Sequence, residues 1–314
     1  MSSDNDYNVY LVPSGISKVD SRDDVDLTSP FWGLYPIMLS PMKGISGIDI
    51  VIEMGRNNCF GILHKFGTPE ERIFNIRKVE ESGVLFGVAI GAGEEDFDVE
   101  LDIATCAYER GAKLICVDLA NGYLSRLERI GSRLRARFGD DIALMCGNVI
   151  TGEGSDFLKR AGFDFIRVGI GGSKVCTTRI VTGVGRNNLS AIHDCSGTDA
   201  FIVADGGIDE PGKAVKSFAY GADFVMMGST LAYANESESQ DTIYGMASER
   251  LQREEGKLMK SVEGIEIKLD ISQKKPLKEI LDYFLGGIRS ACSILGCDSY
   301  EDLHWKAQVL EHDQ

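Results

Sequence analysis

Eight short runs of nearly continuous apolar residues recur along the chain, at 33–41, 59–65, 84–91, 113–121, 142–150, 163–170, 200–207 and 222–229. Their length suits strands, and their lack of polar alternation predicts strands buried on both faces. Helix-forming segments lie between them. In 68–82, Thr68 is placed to cap, Pro69 suits the first turn, Glu71 completes a capping box, and Gly83 follows as a stop. Similar segments run over 96–111, 123–139 and 210–221, the last two carrying abundant charge and ending at glycine.

Eight strand and helix units in strict alternation require a parallel sheet with right-handed crossovers, and they close into an α/β (β/α)8 TIM barrel of about 250 residues. A doubly wound open sheet would call for GxGxxG after the first strand and an acidic residue about 20 positions on. Neither stands at 42–50. The surplus residues fall into a polar N-terminal lead, 1–32, and an acidic loop-like stretch, 230–285, which we read as an active-site flap inserted after the eighth strand. No Pro-rich linker divides the chain, so 1–314 is expected to be one catalytic domain.

Composition narrows the partners. The 33 basic and 48 acidic side chains give a net charge of −15, which repels nucleic acid and anionic lipid, so neither is an expected partner. The start lacks a basic, then apolar, leader pattern and no run approaches the roughly 20 apolar residues of a membrane span, so a cytoplasmic location is expected. Eight cysteines stand singly without a CxxC pair and read as free thiols. His64, His193, His304 and His312 have no metal-ligand spacing.

In such a barrel the chemistry sits at the C-terminal ends of the strands. There the chain places Ser40, Pro41 and Met42, His64 and Lys65, Asp118 and Asn121, Gly147 and Asn148, then Asp205, Gly206 and Gly207, and finally Gly228 and Ser229. The glycine turns after the seventh and eighth strands suit a phosphate cradle, although each alone is also an ordinary tight turn. After the sixth strand comes 169–179, too polar and glycine-rich for core. It displays Cys176 beside Thr177, Thr178 and Arg179, a nucleophile candidate with a hydroxyl to relay protons and a cation to favour thiolate.

The segment GIGGSKVCTTRIVTGVGRNNLSAI, 169–192, resembles the signature loop of the inosine monophosphate dehydrogenase and guanosine monophosphate reductase family. Further matches follow in order: SRDDVDLT (21–28), PIMLSPM (36–42), HK (64–65), CVDLANGY (116–123), GNVITGE (147–153), DGGI (205–208), DFVMMGS (223–229), YGMAS (244–248), VEG (262–264) and LGGIRSAC (285–292). The resemblance implies a purine nucleotide oxidoreductase with Cys176, Thr178 and Glu263 catalytic. On the substrate side it implies Asp205 at the ribose, Gly206, Gly207, Gly228 and Ser229 at the phosphate, Gly245, Met246 and Ala247 at the base edge, and Met42 stacked on the base, joined by Asn148, Lys174 and Lys260. Lys65, Asp118, Leu119, Ala120, Ile170 and Gly171 fall where the family places its nicotinamide cofactor, with Ser21 and Arg22 supplied by a neighbouring subunit of a homotetramer. Backbone carbonyls of Gly171, Ser173 and Cys176 match a potassium site.

No paired regulatory (CBS) domain interrupts the chain, and 246–263 lacks the Arg-Tyr pair with which the dehydrogenases activate water. Both features resemble the reductases, which implies NADPH-dependent reductive deamination of GMP to IMP and ammonia, with NADH left open. Arg250 and Arg253 are expected to be solvated on a helix. Three positions depart from the family pattern: Lys174 replaces a phosphate-binding serine, Lys43 an aspartate, and Lys260 an arginine. They keep open a relative acting on another, or more highly phosphorylated, purine nucleotide, one running as a dehydrogenase, and a catalytically silent nucleotide binder. Asp118 as a helix cap and Lys65 as a solvated rim charge also stay open at this stage.

Overall fold

The computed structural model describes residues 7–95, 97–256 and 261–310. Twelve strands occur among them: β1 (Tyr10–Pro13), β2 (Ile37–Leu39), β3 (Gly61–Leu63), β4 (Phe86–Ile90), β5 (Leu114–Asp118), β6 (Ala143–Val149), β7 (Phe165–Val168), β8 (Phe201–Asp205), β9 (Phe224–Met227), β10 (Thr242–Tyr244), β11 (Glu266–Lys268) and β12 (Ala307–Leu310). The helices are α1 (Ile48–Arg56), α2 (Pro69–Glu80), α3 (Phe97–Glu109), α4 (Arg126–Phe138), α5 (Gly152–Arg160), α6 (Thr178–Thr182), α7 (Asn188–Cys195), α8 (Pro211–Ala219), α9 (Glu249–Glu254), α10 (Leu277–Leu295) and α11 (Leu303–Lys306).

β2 to β9 form one parallel sheet in the order β2, β9, β8, β7, β6, β5, β4, β3. Leu39 N donates to Phe60 O at 2.9 Å and Phe60 N to Ile37 O at 3.0 Å, which joins the two edges and closes the (β/α)8 barrel. Residues alternate between two cores. Met38, Ile62, Ala89, Cys116, Met145, Phe165, Val203 and Met226 fill the barrel. Their sequence neighbours, among them Ile37, Leu63, Ile90, Val117, Ile166 and Met227, face the helices. Both sets are buried, which is why the strands read as unbroken apolar runs.

Helix boundaries follow the local signals. Thr68 and Glu71 form the capping box of α2, and Gly83, Gly139 and Gly221 take positive φ just past α2, α4 and α8.

The two surplus segments are more ordered than their composition suggested. Within the lead, Phe31 and Trp32 plug the end of the barrel where the strands begin. Trp32 stacks on Phe60 with ring centroids 4.7 Å apart, and Phe31 meets Phe201 edge-on at 4.2 Å. β1 pairs antiparallel with β12. The flap stretch is not simply loop-like: β10 pairs with β11, α9 lies between them, and 277–285 already belongs to α10, whose Leu277, Ile280, Leu281, Phe284, Leu285 and Ile288 bury one stripe.

Candidate functional site

At the strand C-termini lies a cavity of about 290 Å³. β2 and its loop supply Met42, β3 Lys65 and Phe66, β5 Asp118, Leu119 and Ala120, β6 Asn148, and β7 Arg167 with Gly169, Ile170 and Gly171. Ser173, Cys176 and Thr178 enter from the following loop, and β8 adds Asp205. The flap closes one side with Gly245, Met246, Ala247 and Glu263.

The cysteine loop is a tight construction. Gly169 has φ +139°, and a Cβ there would overlap the Asp205 carbonyl, so the chain leaves β7 only as glycine. Cys176 N donates to Ser173 O at 3.1 Å, turning the thiol into the cavity while Val175 is buried behind it. The sulfur lies 3.2 Å from Thr178 Oγ1. The flap pairs with this loop through its backbone: Thr177 N donates to Glu263 O and Ile265 N to Val175 O, both at 2.9 Å. That pairing brings Glu263, 87 positions away in sequence (263 − 176), to the cavity of Cys176. Arg179 sends Nε to Ile170 O at 2.6 Å and Nη2 to Arg186 O at 2.5 Å and Asn188 Oδ1 at 2.9 Å. These bonds brace the loop.

Cys59, Cys116, Cys146, Cys195, Cys292 and Cys297 are buried, whereas Cys106 and Cys176 are half-buried. Burial pushes the Cys116 and Cys195 thiols up to about 12, and they stay protonated at neutral pH.

A chain of charges crosses the cavity floor. Lys65 Nζ approaches Asp118 Oδ2 at 3.1 Å, and Arg167 Nη1 donates to Asp118 Oδ1 at 2.5 Å. The same guanidinium donates from Nη2 at 2.8 Å and Nε at 3.2 Å to Asp205 Oδ2, which also accepts from Asn148 Nδ2 at 2.7 Å. Burial alone would raise the Asp118 carboxyl, but Lys65 and Arg167 outweigh it and hold it at about 2. Asp118 is therefore an ionised cavity residue rather than a helix cap, and Lys65 is its partner rather than a solvated rim charge. Arg167 was absent from the sequence reading, although a lone arginine inside the apolar run 163–170 signals a buried counter-ion.

The glycine turns border the cavity. A Cβ on Gly207 would lie 2.9 Å from Gly172 O, and one on Gly228 2.6 Å from Met42 Sδ, so both turns pack directly on lining segments. Asn188, also unforeseen, is buried and donates to Gly206 O at 2.8 Å. Lys174 does not line the cavity but pairs with Asp209 at 2.8 Å, whose other oxygen lies 2.6 Å from Lys213. Lys43 pairs with Glu254 at 2.9 Å and Glu255 at 3.6 Å of the flap. Arg250 and Arg253 are both exposed on α9, as expected, with Arg250 lying 4.7 Å over the Tyr244 ring. Ser21 and Arg22 are not brought to the cavity within the chain: Arg22 lines a separate hollow of about 500 Å³ with Tyr35, Asn58 and Arg289. Lys260 lies outside the described residues. Among the described residues no cluster of His, Cys, Asp or Glu could hold a metal, and no helix is long and apolar enough to cross a membrane.

The family model described as the IMP dehydrogenase / GMP reductase domain matches residues 6–314. Proteins named GMP reductase from Salmonella paratyphi B, Salmonella schwarzengrund and Salmonella newport are each 33% identical over 311 residues, covering 91% of this chain and 88% of the relative.

Proposed function

The chain belongs to the IMP dehydrogenase / GMP reductase family, and from that premise we propose that it catalyses the NADPH-dependent reductive deamination of GMP to IMP and ammonia. The observation that carries the reading is the half-buried Cys176 thiol, 3.2 Å from the Thr178 hydroxyl in a cavity that Glu263 also lines. Its sulfur attacks C2 of the guanine ring. The bond from C2 to the exocyclic nitrogen then breaks, with Thr178 and Glu263 handing a proton to the departing ammonia, and a covalent thioimidate remains. When bound, the reduced nicotinamide nucleotide supplies a hydride to that carbon. The carbon–sulfur bond breaks and Cys176 leaves as thiolate.

Asp205 accepts its described bonds on Oδ2, an arrangement that suits Oδ1 to ribose hydroxyls. Gly206, Gly207, Gly228 and Ser229 offer the phosphate end, Gly245 to Ala247 the base edge, and Met42 a stacking surface. The apolar strip of Leu119, Ala120 and Ile170 beside Lys65 and Asp118 fits a nicotinamide ring and its carboxamide. The carbonyls of Gly171, Ser173 and Cys176 belong to one wound loop and suit a potassium ion that shapes it. Ser21 and Arg22 serve a neighbouring protomer of a cytoplasmic homotetramer.

Purified protein incubated with GMP and NADPH should consume the reduced cofactor, followed by absorbance, and Cys176→Ser should abolish consumption. Turnover surviving in that variant would overturn the mechanism. Lys174 beside Asp209 favours one second reading, the same covalent chemistry on another purine nucleotide. Cofactor consumption with that nucleotide but not with GMP would establish it.

A further inference from the structure

Arg167 is buried, and its guanidinium is the sole described link between two carboxylates on different strands and at different parts of the cavity. Asp118, at the end of β5, holds Lys65, while Asp205, at the end of β8, holds Asn148. On the proposed reading, the first pair faces the cofactor and the second the ribose of the substrate, so the line Lys65, Asp118, Arg167, Asp205 and Asn148 runs unbroken from one ligand to the other.

We infer that Arg167 is a positioning residue that couples the two ligands, so that nucleotide binding at Asp205 tightens cofactor binding at Lys65. The physical route is competition for hydrogen bonds in a low-dielectric floor. Ribose hydroxyls donating to Asp205 Oδ1 draw the carboxylate's charge away from Oδ2, where Arg167 Nη2 and Nε donate, and weaken those two bonds. The guanidinium then leans on Asp118, which accepts more from Arg167 and less from Lys65, and the released ammonium turns to the cofactor. Only a planar fork can hold both carboxylates at once. A lysine keeps the charge but cannot bridge.

This inference rests on the proposed function, and its test separates the two. With oxidised NADP⁺ no hydride can pass and turnover cannot complete, and added ammonium holds the reversible deamination on the side of GMP, so binding can be read by calorimetry. In the intact protein, saturating NADP⁺ should tighten the GMP Kd about fivefold or more, and GMP should tighten the NADP⁺ Kd by the same factor, as linkage requires. In Arg167→Lys the factor should fall to within about twofold of none. A merely structural role would weaken both ligands without touching the ratio. If Arg167→Lys does not fold, Asp118→Asn cuts the same line at its other joint and should lose the coupling alike. Both ligands binding independently in the intact protein, or full coupling surviving in the folded variants, overturns the inference alone. Binding of neither ligand overturns it together with the proposed function.

Discussion

Cys176 differs from most other cysteines of the chain in being reachable. Limited treatment of the folded protein with iodoacetamide should modify Cys176 and Cys106 and spare Cys59, Cys116, Cys146, Cys195, Cys292 and Cys297, as peptide mass spectrometry can show. Thr178→Val and Glu263→Gln should each lower kcat by about 10²- to 10⁴-fold, the usual worth of a positioned proton-transfer group, with little change in thermal midpoint. Asp118 makes a stability prediction with a definite sign. Its folded pKa, about 2, lies below the ordinary value, so its stabilisation is present above about pH 4 and is lost as the pH falls towards 2. Asp118→Asn should therefore destabilise by about 3 kcal/mol at pH 7, because it leaves Arg167 and Lys65 short of a counter-charge, and the gap to the parent protein should close near pH 2 in melts run across pH. The candidate catalytic residues were legible one by one from chemistry and resemblance. Arg167 was not, because a lone arginine within an apolar run says that a partner exists without saying which one.

Elements convert those residues into a site. The flap hairpin reaches Cys176 only because Gly245 and Gly264 allow close backbone approach: a Cβ on Gly245 would lie 2.6 Å from Val175 O, and one on Gly264 2.9 Å from Gly245 Cα. Gly245→Ala should push the flap off the loop, raising KM and lowering kcat while leaving the barrel melt nearly unchanged, since neither segment belongs to the barrel wall. A Gly245→Ala enzyme with normal kinetics would show that the pairing of 175–177 with 263–265 is dispensable. Strand and helix alternation, and the box of Thr68 and Glu71 that caps α2, were readable because they are local. β10 and β11, three residues each, are too short for any periodicity to reveal. α10 did carry a clear apolar stripe, but the acidic stretch before it drew its first turns into the presumed loop.

For the whole molecule, the proposed homotetramer calls for a scattering mass near four times the 34.3 kDa of one chain. Arg22→Glu should then raise the KM for the cofactor in the assembled enzyme although Arg22 is absent from its own chain's cavity. Unchanged kinetics in a tetrameric Arg22→Glu protein would remove Ser21 and Arg22 from the cofactor site. Trp32 and Phe31 show how a polar lead can matter to the core: Trp32→Ala should cost about 3 kcal/mol, read from denaturant melts, because it uncovers Phe60 and Phe165 at the barrel mouth. By itself the sequence determined the strand and helix alternation, the closed barrel it implies, and the loop bearing Cys176, since each is written in contiguous residues whose period or chemistry is local. Tertiary structure alone decided that Glu263 meets that loop, that Arg167 ties Asp118 to Asp205, and that Lys174 and Lys43 turn to Asp209 and Glu254. Those pairings join residues far apart in the chain, and only closing the barrel and laying the flap across it fixes which opposite charges come within reach.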